Sequence, residues 1–149
     1  MESVLFVCLG NICRSPAAEA IFRESCPNIQ CDSAGTAGYH VGSPPYPEMA
    51  KAARARGIDM SDLRARQFCA EDFRNFDLIV VMDQDNQENV ESLRPAGDRT
   101  PVVLFAPMAA GFDVEAVPDP YYTRDFDGCL DLLESAAQGL KRYVTQAGV

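Results

Sequence analysis

A single histidine stands among 149 residues, and no two of the six cysteines are spaced C-x2-C. Both scarcities argue against a structural zinc site, which draws on clustered Cys and His. Positive charge is scarce too: 13 Lys and Arg against 22 Asp and Glu leave a net charge of −9. Binding along a nucleic-acid backbone needs clustered Lys and Arg, so no nucleic-acid partner is expected. A small phosphorylated ligand is compatible, because one arginine in a cleft can attract an anion inside an acidic molecule. No apolar run approaches the ~20 residues of a membrane span, so no membrane partner is expected. Met1–Val7 is too short for a secretory signal and has no basic segment before it. The expected location is the cytoplasm. Repeats, linkers and low-complexity tracts are absent.

What is present suits one ordinary domain over residues 1–149, at 47% hydrophobic and 23% charged residues. A chain of this length buries roughly 68–70% of its unfolded surface and needs no covalent staples. The cysteines (Cys8, Cys13, Cys26, Cys31, Cys69 and Cys129) are therefore read as reduced thiols.

Apolar runs at Val4–Cys8, Ile29–Ala34, Asp77–Met82 and Pro101–Phe105 read as strands. The first is continuous and β-branched, as in a strand covered on both faces. Helices are expected over Ala17–Arg23 (Pro16 in the first turn), Pro47–Arg56, Asp83–Leu93 and Asp125–Thr145, with a helical turn at Ala70–Asn75. Leu130, Leu133, Ala137, Leu140 and Val144 form the apolar stripe of the last helix. Gly35–Pro47 and Pro107–Pro118 read as loops, and Ser61–Phe68 is ambiguous. Strand–helix alternation predicts an α/β fold with a central four-stranded parallel twisted sheet and helices on both faces. Ligands bind such sheets at the C-terminal strand ends, where Cys8 stands.

Cys8-Leu9-Gly10-Asn11-Ile12-Cys13-Arg14-Ser15 links the first strand to the first helix. Gly10 and Asn11 are the types that best tolerate left-handed backbone, which can turn successive N–H groups inward as an anion nest. The helix start adds unpaired N–H groups and a favourable dipole. Arg14 offers a planar fork of donors that matches phosphate. The same field should lower the Cys8 pKa below the ~8.5 of a free thiol, giving a nucleophile without a separate base. The Ser15 hydroxyl can donate to that thiolate. The alternative reading is an ordinary turn with a buried cysteine and a solvent-facing arginine.

At these residues the chain resembles the low-molecular-weight protein tyrosine phosphatases, whose signature C-x-G-N-x-C-R-S it carries at Cys8–Ser15. Asp119-Pro120-Tyr121, Ser33-Ala34-Gly35-Thr36, Gly42-Ser43-Pro44-Pro45 and Met82-Asp83 also resemble family segments, so the likeness spans the chain. It implies a phosphocysteine mechanism with Cys8 as nucleophile and Arg14 as phosphate binder, and Leu9–Ser15 forming the phosphate cradle. Asp119, stiffened between Pro118 and Pro120, is the implied general acid and then base. Asp113, Asp125 and Asp127 lie nearby without that bracket. The resemblance also implies an aromatic pocket, with Tyr121 and Tyr122 on one wall and Tyr39 on the other. Phosphoarginine hydrolases of similar loop carry threonine where Ile12 stands, so phosphotyrosine proteins or aryl phosphates are the expected partners. Phosphate, vanadate and sulfate are expected inhibitors. No metal or other cofactor is expected, because Arg14 and the loop amides supply the positive field.

Asn11 is read as structural, its amide reaching the Ser33 hydroxyl, and Asp83 as a helix N-cap. His40 is read as an exposed loop residue without a role. Many relatives carry histidine where Leu63 stands, before Arg64-Ala65-Arg66, so polar support behind the cradle must differ here. A reversible Cys8–Cys13 disulfide is expected under oxidation if the two Cα atoms lie within ~7 Å. Two rivals remain: an arsenate reductase, which needs further cysteines that residues 70–128 lack, and a binding module that kept the cradle without catalysis.

Overall fold

Every residue of the first strand, β1 (Ser3–Cys8), is buried. Val4, Phe6 and Cys8 point into one core, while Leu5 and Val7 point into another. This two-sided burial explains why the run is continuous rather than alternating. The computed structural model describes residues 1–147. β1 pairs in parallel with β2 (Gln30–Gly35) and with β3 (Leu78–Val81), and β3 pairs in parallel with β4 (Val102–Leu104). The spatial order is β2-β1-β3-β4. From β1 the chain moves to one side, and after β2 it crosses to the other. The crevice for a ligand therefore lies where the order reverses, at the C-terminal ends of β1 and β3.

The larger core joins that sheet face to α1 (Arg14–Ser25), α2 (Pro47–Arg54) and the long terminal helix. The smaller one packs Phe68, Phe73 and Phe76 with α3 (Asp72–Asn75) and α4 (Gln84–Glu91). A short α5 (Pro120–Thr123) precedes α6 (Phe126–Ala147). The five residues expected on the α6 stripe are all buried. Among the described residues no helix is long and apolar enough to cross a membrane.

Several boundaries differ from the sequence reading. α1 begins at Arg14, so Arg14 and Ser15 are its first turn. The second helix stops at Arg54, because Arg56 N and Gly57 N turn back to Ala53 O and Arg54 O and Gly57 takes φ +79°. The strand expected from Asp77 starts at Leu78, since the Asp77 carboxylate instead accepts from the backbone of Glu2 and Ser3. A 3-10 turn, Ala106–Met108, extends into the expected 107–118 loop. The ambiguous stretch forms one parallel bridge, Gln67 to Gly35.

Candidate active site

The loop from Cys8 to Arg14 is closed by hydrogen bonds on its outer side. Cys8 O accepts from Thr36 N, Leu9 O from Ala37 N and Ile12 O from Tyr46 N, each at 2.9 Å. With these carbonyls held outward, the N–H groups of Gly10, Ile12 and Cys13 have no acceptor among the described residues. α1 opens at Cys13 with no side-chain cap, so its first-turn donors add to that set. Asn11 takes φ 57°, the left-handed conformation, and its N–H donates to Cys8 Sγ at 3.3 Å. Gly10 does not share that conformation, contrary to the sequence reading. Its small size serves a different purpose: a Cβ there would stand 3.1 Å from the His40 ring. Gly35 is equally constrained, since a Cβ would come within 2.8 Å of Leu9 O and 3.1 Å of Asn11 N. The end of β2 thus lies directly against the loop backbone.

Cys8 Sγ lies 3.0 Å from Ser15 Oγ. The Asn11 amide donates to Ser15 Oγ at 2.8 Å and to Ser33 Oγ at 2.9 Å, while its oxygen accepts from Arg66 N at 3.0 Å. The expected tie to Ser33 is present. Leu63 is partly buried against the larger core, and the polar support behind the loop comes from Arg66 N, Ser33 and Glu19.

Arg14 is 3% exposed. Its Nη1 donates to Asp83 Oδ2 at 2.8 Å and to Val117 O at 2.9 Å, and its Nη2 stands 3.5 Å from Asp119 Oδ2. Burial pulls the guanidinium pKa down, but Cys8, Asp83 and Asp119 outweigh it and hold it above its usual value. Asp83 caps α4 through Asn86 N, as expected, and also grips Arg14 from 69 residues away, which the sequence reading missed. Its place just after β3, at the strand-order reversal, is the signal that could have found it. Asp119 is the N-cap of α5, accepting from Tyr121 N at 3.1 Å. Asp125 instead accepts from Gly128 N, and Asp127 pairs with Arg56.

A cleft of about 300 Å³ lies over the loop, lined by Leu9, Gly10, Ile12, Tyr39, His40, Asp119, Tyr121 and Tyr122. The three expected tyrosines thus share one cleft, and Tyr39, 80% exposed, stands largely clear of the protein. His40 lines it too and is half-buried, which corrects the expectation of an exposed residue. Cys13 is buried, and burial, followed by the charges of Asp119, Cys8 and Cys129, drives its pKa upward.

Fold and loop together define an α/β protein whose first strand exits into a turn of unpaired N–H groups carrying cysteine and arginine. The family model described as low molecular weight phosphotyrosine protein phosphatase matches residues 3–148. The chain is 45% identical over 146 residues to slr0328 of Synechocystis sp., covering 92% of each. It is 38% identical over 146 residues to the low molecular weight protein-tyrosine-phosphatase YfkJ of Bacillus subtilis, covering 94% of each. The YfkJ crystal structure superposes with a TM-score of 0.92, covering 99% of this chain and 96% of that one. Wzb of Vibrio vulnificus, solved in complex with benzylphosphonate, superposes at 0.85 with 27% identity, covering 95% and 98%. The chain belongs to the low molecular weight protein-tyrosine-phosphatase family and is a hydrolase of that type.

Proposed function

We propose that the chain hydrolyses phosphotyrosine monoesters through a phosphocysteine on Cys8. The observation that carries this reading is the placement of Cys8 Sγ beside Ser15 Oγ and Asn11 N, in a loop whose Cys8, Leu9 and Ile12 carbonyls are engaged from outside. Cys8 attacks phosphorus as the thiolate, forming an S–P bond as the bond to the tyrosyl oxygen breaks. Arg14 and the amides of residues 9–14 hold the equatorial oxygens, where transition-state charge is spread. The incoming phosphoryl group takes over the Arg14 donor that faces Asp119, and the Asp119 carboxyl protonates the leaving oxygen. Water then attacks phosphorus and gives a proton to Asp119. The S–P bond breaks, inorganic phosphate leaves, and Ser15 steadies the departing sulfur.

Ile12 and the three tyrosines at the cleft favour a flat aromatic ester over a branched phosphoguanidine. The benzylphosphonate seen in Vibrio vulnificus Wzb has the same aryl-and-phosphoryl shape. Phosphotyrosine proteins and aryl phosphates are the substrates of this reading, and phosphate, vanadate and sulfate its competitive inhibitors. All six cysteines are free, which fits a reducing, cytoplasmic setting. Under peroxide, Cys8 would be oxidised to the sulfenic acid with release of water. Attack by Cys13 would then expel a second water and close a Cys8–Cys13 disulfide.

The test compares hydrolysis of phosphotyrosine, p-nitrophenyl phosphate and phosphoarginine, with arsenate-dependent thiol oxidation alongside. Phosphotyrosine turnover, inhibited competitively by vanadate, is expected from the wild type. Cys8→Ser should lower it by about 10⁴-fold or more with an unchanged circular dichroism spectrum. Residual turnover near wild type in that variant would sink the reading.

A further inference from the structure

Glu19, on the second turn of α1, is only 6% exposed, and none of the chemistry above uses it. Asp72, the other acidic side chain buried this deeply, is matched by Arg66 at 3.1 Å. Glu19 has no ion pair among the described residues. Arg23, one turn further along α1, gives its guanidinium to Asp62 and to Asp59 O. The one side-chain bond of Glu19 is from Ser33 Oγ, 2.7 Å from Oε1.

That single bond sets the direction of the Ser33 hydroxyl. An ionised carboxylate only accepts, so the Ser33 hydroxyl hydrogen must point to Glu19. The Ser33 lone pairs are then left for the Asn11 amide hydrogens at 2.9 Å. Arg66 N fixes the Asn11 oxygen on its far side, so the second amide hydrogen goes to Ser15 Oγ. Ser15, receiving there, has its own hydrogen free for Cys8 Sγ at 3.0 Å, the nearer of its two acceptors, with Ala34 O at 3.4 Å.

We propose that the ionised Glu19 carboxylate is a positioning residue, ordering Ser33, Asn11 and Ser15 so that the Ser15 hydroxyl donates to the Cys8 sulfur. The proposal rests on the reading of Cys8 as the nucleophile. A protonated Glu19 can itself donate to Ser33; the Ser33 hydrogen then loses its acceptor and crowds the Asn11 amide hydrogen, so the amide is held by Arg66 N alone and its bond to Ser15 loosens. Burial pushes the Glu19 carboxyl up to about 7 against the pull of the Ser33 hydroxyl; Asp32 and Asp62 add to the rise, and Arg23 opposes it. The other groups nearby are spoken for. Asp32 on β2 pairs with Arg66. The Cys31 thiol, 3.8 Å from Glu19 O, is pushed up to about 12, chiefly by burial, and stays neutral. The order of the network should therefore change across neutrality.

The experiment measures kcat on phosphotyrosine, and the rate of Cys8 alkylation by iodoacetamide, against pH for the wild type and Glu19→Gln. Glutamine keeps the shape and one acceptor oxygen but cannot ionise. Taking the ratio of wild type to variant cancels every titration the two share, that of Asp119 included. The kcat ratio is expected near one below about pH 6 and about fivefold above about pH 8, the worth of one hydrogen bond. The alkylation ratio should rise over the same interval. A flat ratio in both readouts overturns the proposal. In a Ser33→Ala background Glu19→Gln should cost little more, because both act on one chain of bonds. A full additional loss there overturns the route through Ser33. A wild type inert toward phosphotyrosine at every pH overturns the phosphatase reading instead, and the alkylation ratio still decides the role of Glu19.

Discussion

On one side of the loop, Arg14 is gripped by Asp83 at 2.8 Å and faces Asp119 at 3.5 Å. On the other, Cys8 meets Ser15 and Asn11, Ser33 stands behind them, and the carboxylate of Glu19 is two hydroxyls and an amide away. The arginine side is held by charge on charge, partly open to water. The sulfur side is held by neutral dipoles in a buried chain, where direction matters more than charge. Removing a charge should therefore act strongly and directly on the first side. On the second, the response should depend on pH and on which partner remains.

The largest expected effect breaks the arginine side at the acid. Asp119→Ala should slow phosphotyrosine hydrolysis by about 10²–10³-fold, the usual worth of a general acid. It should cost p-nitrophenyl phosphate far less, because that leaving group departs without a proton. Equal losses on the two substrates, measured as kcat, would show that Asp119 acts through Arg14 rather than through the leaving oxygen.

A smaller effect separates the two jobs of Asp83. Asparagine still caps α4 but cannot pair with Arg14. Asp83→Asn should raise KM and the inhibition constant for phosphate together, by about tenfold, with little change in melting temperature. Asp83→Ala should add a stability loss of about 1 kcal/mol for the missing cap, read by urea denaturation.

On the sulfur side the expected effect is on stability and leaves the rate side of the comparison least changed. The Glu19 carboxyl rises from 4.5 to about 7 on folding, so between those values the native state binds more protons than the unfolded one. Its contribution to stability is then complete below about pH 4.5 and is lost as pH climbs through 7. Glu19→Gln removes that loss. The variant should be the more stable protein at about pH 8, by up to roughly 3 kcal/mol, with the gap closing toward about pH 5. A gap that widens on acidification would mean that Glu19 is stabilised by a cation instead. The same substitution is expected to weaken catalysis, so stability and cradle order pull this position in opposite directions.

Much of this was legible in the sequence where residues act as neighbours along the chain. Cys8 to Ser15 is one contiguous turn, and its strand, glycine-asparagine corner and arginine could be read without knowing what packs behind them. The sheet was readable because buried parallel strands are continuous apolar runs. Asp83 was legible only as a cap, since its grip on Arg14 depends on how two distant strand ends meet. Glu19 was not legible at all. The stretch Ala17–Arg23 reads as a helix with nothing to mark how deeply it is enclosed, yet α1 buries every residue from Arg14 to Phe22. A helix enclosed on all sides gives its polar residues no outer face, and periodicity cannot then mark which of them are inside. His40 escaped for a related reason, because its cover comes from Gly10, a residue that looked important only for its backbone.

Gly35 ties these themes to the assembly of the protein. Its bare Cα is the floor beneath Leu9 and Asn11, and it comes into place only when β2 has zipped onto β1 in the observed alignment. A one-residue slip between those strands would thrust Ala34 or Thr36 upward and spread the turn apart. Turnover is thus an inbuilt gauge of correct strand alignment: a molecule misaligned there would be inert however well the remainder had condensed.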